Sequence, residues 1–290
     1  MGIAEKFQTL VSNLAISNQS TISDRYKAIT KRLNTDFWGS TSDTSHSRYV
    51  GSMGRATAIN GVSDVDFLME LPQSVYNQYN AYTSNGQSAL LQAVKNSILK
   101  TYSSTDVGGD GQVVVVNFTN MKFEVLPAFL QSDGEYKHPD SNNGGSWKKT
   151  DPIAEITAMN TENINSNSNL KRLAKMARAW KDKNSVPISG FLIDTLAYNF
   201  MKNWQYKDKS FLYYDYMTRD FLEYLKNQSS TQNYWLAPGS KKQAARTGNF
   251  EAKAKTSYQD ALDAIAYEND SKEYSANVCW KKIYGSYFPG

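Results

Sequence analysis

Gly51–Leu71 reads GSMGRATAINGVSDVDFLMEL. Its second half, VDFLMEL (65–71), is an apolar run stopped by Pro72 and predicts a buried strand. Asp64 and Asp66 stand one residue apart at the start of that run. On a strand, side chains at i and i+2 project to the same face. Two carboxylates held that close repel each other unless cations neutralise them. Oxygen-only donors suit Mg²⁺, with Mn²⁺ as a substitute. A lone Asp-x-Asp fits a solvated turn as well, so the neighbours matter. Gly51-Ser52, about a dozen residues upstream, could offer backbone N–H groups and a hydroxyl to phosphate oxygens. A second predicted strand carries Glu124 among apolar neighbours in FEVLP (123–127). A buried carboxylate is expensive unless it is paired or metal-bound. Glu124 therefore asks for a cation, and the aspartates supply the reason for one.

Outward from this segment, residues 3–16 and 20–37 carry apolar side chains at helical spacing (Ile3, Phe7, Leu10, Leu14; Ile22, Tyr26, Ile29, Leu33, Phe37). Residues 87–102 repeat the pattern, and QVVVVNF (112–118) with 121–126 reads as a hairpin turning at Thr119-Asn120. The polar stretch 131–151 is expected to be a surface loop and a domain boundary. Beyond Pro152 the pattern turns helical, with Leu170, Leu173, Ala174, Ala177 and Trp180 forming a stripe. Further helices are expected over 189–203, 210–227, 258–268 and 273–284. The expected division is 1–150, an α/β half with N-terminal helices, and 151–290, a helical half.

Composition excludes other chemistry. Among 290 residues there are 2 His and 1 Cys, too few for two zinc sites or an internal disulfide framework. A reducing, cytoplasmic compartment is the default expectation. No apolar run approaches a membrane span, and MGIAEKFQTL lacks the apolar centre of a secretory signal. The 32 Lys+Arg against 28 Asp+Glu leave a net charge of only +4, and no stretch proposes a long basic face for duplex nucleic acid.

GS (51–52), RAT (55–57), SDVDFL (63–68) and FEVLPAF (123–129), in that order, resemble the nucleotidyltransferase superfamily of the DNA polymerase β type. The branch most similar holds oligoadenylate synthetases, cyclic GMP-AMP synthase and the bacterial CD-NTases. LKRLAKMARAWK (170–181) resembles that branch's helical spine, ISGFLIDTLAYNF (188–200) its following helix, and CWKKIYGSYFP (279–289) the last helix of bacterial CD-NTases. The resemblance implies an α+β, bilobed fold: a polymerase β-like lobe with a mixed sheet and a C-terminal helical lobe. It alone implies the roles of the two halves, 1–150 as catalytic core and 151–290 as nucleotide-binding lobe. It implies a metal-dependent, template-independent nucleotidyltransferase that joins NTPs into a cyclic di- or oligonucleotide for antiphage (CBASS) signalling. The product would pass to a separate effector protein, with no membrane and no long nucleic acid required. The alternative is a terminal nucleotidyltransferase making linear products on RNA or a small molecule.

The implied roles follow residue by residue. Asp64, Asp66 and Glu124 would be the catalytic acids and the ligands of Mg²⁺ or Mn²⁺. Gly51 and Ser52 would hold the donor phosphates, and Ser189 would contact the triphosphate. Arg178 stands where the family usually has Lys, as a phosphate ligand. Several residues admit a plainer reading. Arg55 suits a phosphate contact or a loop salt bridge. Arg178 also suits a solvated helix face, and Ser189 a helix N-cap. Asn163, Asn165 and Asn167 suit caps or base-edge contacts. Trp180, Trp204 and Trp280 are expected in the core. Cys279 is expected to be a buried apolar residue. His46 and His138 are expected in polar loops, without a role.

Overall fold

Alternating polar and apolar residues build the sheet, and apolar stripes build the helices. The computed structural model describes residues 1–290. In chain order the elements are α1 (Ile3–Asn13), α2 (Gln19–Phe37), β1 (Ser47–Tyr49), α3 (Gly51–Gly54), β2 (Asp64–Glu70), α4 (Gln73–Asn80) and α5 (Gly86–Leu99). Strands β3 (Asp106–Asp110), β4 (Val113–Phe118), β5 (Met121–Leu130), β6 (Tyr136–Asp140) and β7 (Ser146–Thr150) follow. Then come α6 (Pro152–Asn165), α7 (Asn169–Asn184), α8 (Gly190–Asn203), α9 (Tyr214–Lys226), β8 (Tyr234–Leu236), β9 (Gln243–Ala245), α10 (Glu251–Asn269) and α11 (Glu273–Tyr284).

The chain forms an α+β fold of two compact units. The sheet unit comprises Ser17–Arg55 and Gly61–Ile153, and the helical unit Met1–Ile16, Ala56–Asn60 and Ala154–Gly290. The last junction lies between Ile153 and Ala154, against the expected 150/151. The N-terminal helix, however, belongs with the C-terminal helices. Phe7 explains why: it is fully buried, with its ring 5.1 Å from Trp280, 5.5 Å from Phe288, 6.1 Å from Tyr214 and 6.3 Å from Tyr284. Such edge-to-face contacts fasten α1 where its apolar stripe finds the most aromatic surface. Trp180, Trp204 and Trp280 lie in the same core, and Cys279 is buried beside them.

In the sheet unit the strand order is β1-β2-β5-β4-β3, with β6 pairing both β5 and β7. Only β2 and β5 run parallel among these pairs. Helices α2 and α5 cover one face, where Val65, Phe67, Val114, Val116, Phe123 and Val125 are buried with Ile29, Leu33, Leu90 and Val94.

Three expectations need correction. Residues 131–151 are not a loop but hold the β6–β7 hairpin, whose polar strands hide their period in Lys, His, Asp and Pro. Within it His138 is buried, with Nδ1 3.1 Å from the Pro139 carbonyl. Strand β5 also runs through Pro127 to Leu130. The missing N–H is tolerated because β4 pairs with β5 only as far as Val114↔Val125. In the Asn-rich segment Asn163 Oδ1 accepts from Lys171 N in the first turn of α7 at 3.0 Å, and Asn167 Nδ2 donates to the Asp208 carbonyl at 3.1 Å. Asn165 meets Glu162 on its own helix, at 3.5 Å. No helix is long and apolar enough to cross a membrane.

Phe7→Ala should cost about 3–5 kcal/mol of stability, the range for emptying a buried aromatic site. Urea unfolding followed by tryptophan fluorescence, with Trp280 against the vacated ring, checks it.

Candidate active site

The register of β2 against β5 assembles the acidic site. Asp64 lies opposite Lys122 and Asp66 opposite Glu124, and the parallel ladder is continuous from there to Glu70↔Ala128. Along both strands these four residues alternate with buried Val65, Phe67, Phe123 and Val125. All four therefore share the face opposite the core. The three predicted acids are brought together on adjacent strands. The fourth corner, Lys122, was not singled out from the sequence, although its place two residues before Glu124 puts it on the same face.

The charges are not independent. Asp66 is the most enclosed acid, and its carboxyl is pushed up to about 6. Burial is the main cause, followed by the negative charges of Glu124 and Asp64, while the positive charge of Arg55 works the other way. Glu124 and Asp64 share one ammonium: Lys122 Nζ lies 2.7 Å from Glu124 Oε1 and 3.4 Å from Asp64 Oδ1. Its hydrogen bond to Glu124 raises the Lys122 pKa. Glu124 is thus a partly exposed, paired acid rather than the isolated buried one expected, because its strand face turns away from the core. No three His, Cys, Asp or Glu side chains anywhere in the structure are gathered as a preformed metal cluster.

Gly51 and Ser52 open the short helix α3 directly beside the acids. Val50 N donates to the Asp66 carbonyl at 3.0 Å, which ties the loop to β2. Gly51 has φ +57°, and a Cβ there would stand 2.0 Å from Asp66 Oδ2. Only glycine allows both the left-handed backbone and this approach. Arg55 closes α3 as its C-cap and is buried.

In the helical unit the predicted residues separate. Ser189 caps α8, with Oγ accepting from Leu192 N at 3.1 Å, which leaves its own O–H free to donate. Arg178 departs from the expectation of a phosphate ligand. It is buried, and Nη1 and Nη2 donate to Asp194 Oδ1 and Oδ2 at 2.6 and 2.9 Å. The same nitrogens donate to the carbonyls of Ala174 at 3.3 Å and Gly190 at 3.0 Å. A fork with a buried counter-ion and four donors engaged is a structural cation. Gly190 makes room for it, since a Cβ there would sit 3.2 Å from Nη2. Thr57 of the RAT segment donates to Asp194 Oδ2 at 3.0 Å, completing this buried hub.

The cations without acids lie earlier on α7. Lys171 and Lys175, one turn apart, form no ion pair, and burial followed by neighbouring positive charge lowers the pKa of both. Lys171 has an amide oxygen of Asn160 as its partner. An anion would relieve their mutual repulsion. The signal, K-x-x-x-K on the stripe-bearing helix, was present in the sequence but was overshadowed by Arg178.

Gly51→Ala should cost about 1 kcal/mol from backbone strain alone and more from displacing Asp66. Gly108→Ala, in open space, is the control that should lose far less in the same urea titration. Asp194→Ala should cost about 3–5 kcal/mol by stranding a buried guanidinium. The double variant Arg178→Met, Asp194→Leu should recover much of that loss in a double-mutant cycle.

Comparison with known proteins identifies the family and the fold. Residues 1–163 match the family model described as Second Messenger Oligonucleotide or Dinucleotide Synthetase domain (SMODS). A probable cyclic nucleotide synthase of Bacillus cereus (strain VD146) is 24% identical over 275 residues, covering 82% of this chain and 81% of that protein. CdnC of E. coli MS115-1, solved as a complex with HORMA-deltaN, superposes with a TM-score of 0.67 at 15% identity, over 98% of this chain and 96% of that one. The STING-associated CdnE c-di-GMP synthase of Capnocytophaga granulosa gives 0.65 at 16%, over 91% and 85%. DncV of Vibrio cholerae gives 0.66 at 14%, over 84% and 69%. At these identities the structural likeness is one of fold. With more than half its length matched to the family model, the chain belongs to the second messenger oligonucleotide or dinucleotide synthetases and is a nucleotidyltransferase of the bacterial CD-NTase kind.

Proposed function

We propose that this enzyme joins NTPs, without a template, into a cyclic di- or oligonucleotide in a reaction that depends on Mg²⁺, with Mn²⁺ as a substitute. The observation that carries the reading is the shared strand face bearing Asp64, Asp66 and Glu124 beside the Gly51-Ser52 loop. Its donor set fits a divalent cation: three carboxylates, no soft ligand, and an ammonium already drawn to two of them. Asp66 is enclosed and flanked by the negative charges of Glu124 and Asp64, which a cation would relieve.

Asp64, Asp66 and Glu124 would hold the metal, which supplies charge neutralisation at the reacting phosphate and acidifies the attacking hydroxyl. Gly51 and Ser52 present backbone N–H groups and a hydroxyl to the donor's terminal phosphates, and Arg55 sets the charge of the loop's end. Glu124, more open than Asp66, accepts the proton as the ribose oxygen of the acceptor bonds to the donor α-phosphorus. The bond from that phosphorus to the bridging oxygen breaks, and pyrophosphate leaves. A second transfer closes the ring. Lys171 and Lys175 suit phosphate oxygens by point charge, and Ser189 by its free O–H. Arg178 is not assigned this role. These contributions are positioning and electrostatics, as phosphoryl transfer requires. The product would act as a second messenger on a separate effector protein in antiphage signalling, a reading supported by the family to which the chain belongs.

Asp64→Asn with Asp66→Asn should lower pyrophosphate release by at least about a thousandfold while circular dichroism stays unchanged. Turnover that survives in Mg²⁺ overturns the site. Mass spectrometry of products formed with each labelled NTP omitted in turn identifies the bases. Resistance to phosphatase separates a cyclic product from a linear one, which would have a terminal phosphate.

A further inference from the structure

The acidic face has four corners, and one of them is positive. Asp64 and Asp66 on β2 face Lys122 and Glu124 on β5 in strict register. The position of Lys122 is set by the backbone, because its N–H donates to the Ser63 carbonyl at 2.8 Å as the parallel ladder begins. From there its ammonium reaches both flanking acids, Glu124 Oε1 at 2.7 Å and Asp64 Oδ1 at 3.4 Å. The bridged carboxylates are two of the three that the proposed function gives to the metal. The Lys122 side chain is 40% exposed, so a path into solvent is open to it. Lysine suits a removable charge: it is a point cation on a flexible stem, without the fixed fork that locks Arg178 onto Asp194.

We propose that Lys122 is a resident counter-ion: it holds the acidic face together in the metal-free protein, and the divalent cation must displace it to bind. The proposal rests on the reading of Asp64, Asp66 and Glu124 as the metal's ligands. With the ammonium in place, these four side chains sum to two negative charges, and without it to three. Metal loading is then an exchange of cations rather than a simple addition. The free enzyme binds metal weakly, and a metal ion arriving with a triphosphate, which brings its own charge and contacts, has the advantage. The same ammonium spares the apo fold the full repulsion of three clustered carboxylates.

Lys122→Met keeps most of the stem and removes the charge, and Lys122→Gln keeps a donor for Glu124. Circular dichroism establishes that each is folded. Mn²⁺ binding to the nucleotide-free, full-length protein is read from the electron paramagnetic resonance signal of free Mn²⁺. Thermal midpoints are measured in chelator and in Mn²⁺. Both variants should bind Mn²⁺ about tenfold or more tightly than the parent. Both should melt lower in chelator and gain more on adding Mn²⁺. Equal or weaker Mn²⁺ binding in the variants, with binding by the parent intact, overturns the exchange and leaves the metal-site reading standing. Absence of saturable binding in parent and variants alike, or binding undiminished by Asp64→Asn with Asp66→Asn, overturns both.

Discussion

The parallel pairing of β2 with β5 is the constraint on which the rest depends. A parallel ladder fixes which residues stand side by side, and the two-residue period fixes which face they share. Here both conditions place Asp66 beside Glu124 and Asp64 beside Lys122, while the residues between them fill the core. A slip of one residue would bury the charges and expose Val65, Phe67 and Phe123. The hydrophobic core therefore enforces the geometry of the acids. Burial and then the neighbouring carboxylates raise the Asp66 carboxyl, and Lys122 offsets part of that negative charge through Glu124 and Asp64.

A second constraint operates in the helical unit. Asp194 accepts both arms of Arg178 and the hydroxyl of Thr57, all three side chains being buried. The two ends of a long stretch of sequence meet at one carboxylate. Thr57 belongs to the helical unit, and its hydroxyl is held there by a charge-assisted hydrogen bond. Arg178, which a motif reading assigns to phosphate, is instead the partner that makes a buried Asp194 tolerable.

The contrast between Arg178 and Lys175 shows what a motif leaves open. Both lie on α7, one turn apart, and both are basic. Which of them meets an anion depends on which has been claimed by a neighbour, and the neighbour is Asp194, sixteen positions along the chain from Arg178. Similarly, β6 and β7 carry Lys, His, Asp and Pro where strands more often carry β-branched residues. Their strand character comes from pairing with β5 and with each other, not from local preference.

The sequence by itself determined the elements with strong periods: α1, α2, α7 and α11, the β4–β5 hairpin, and the two strands that carry Asp64, Asp66 and Glu124. It did so because apolar spacing and i, i+2 alternation are local properties that survive in any packing. The order of its motifs also fixed the family. The tertiary structure alone decided the pairing of charges. Lys122 with Asp64, Arg178 with Asp194, and the docking of Phe7 among the C-terminal aromatics all join residues distant in sequence. Coulombic and packing energies depend on separation in space, and the chain sets that separation only once the sheet register and the helix packing are complete.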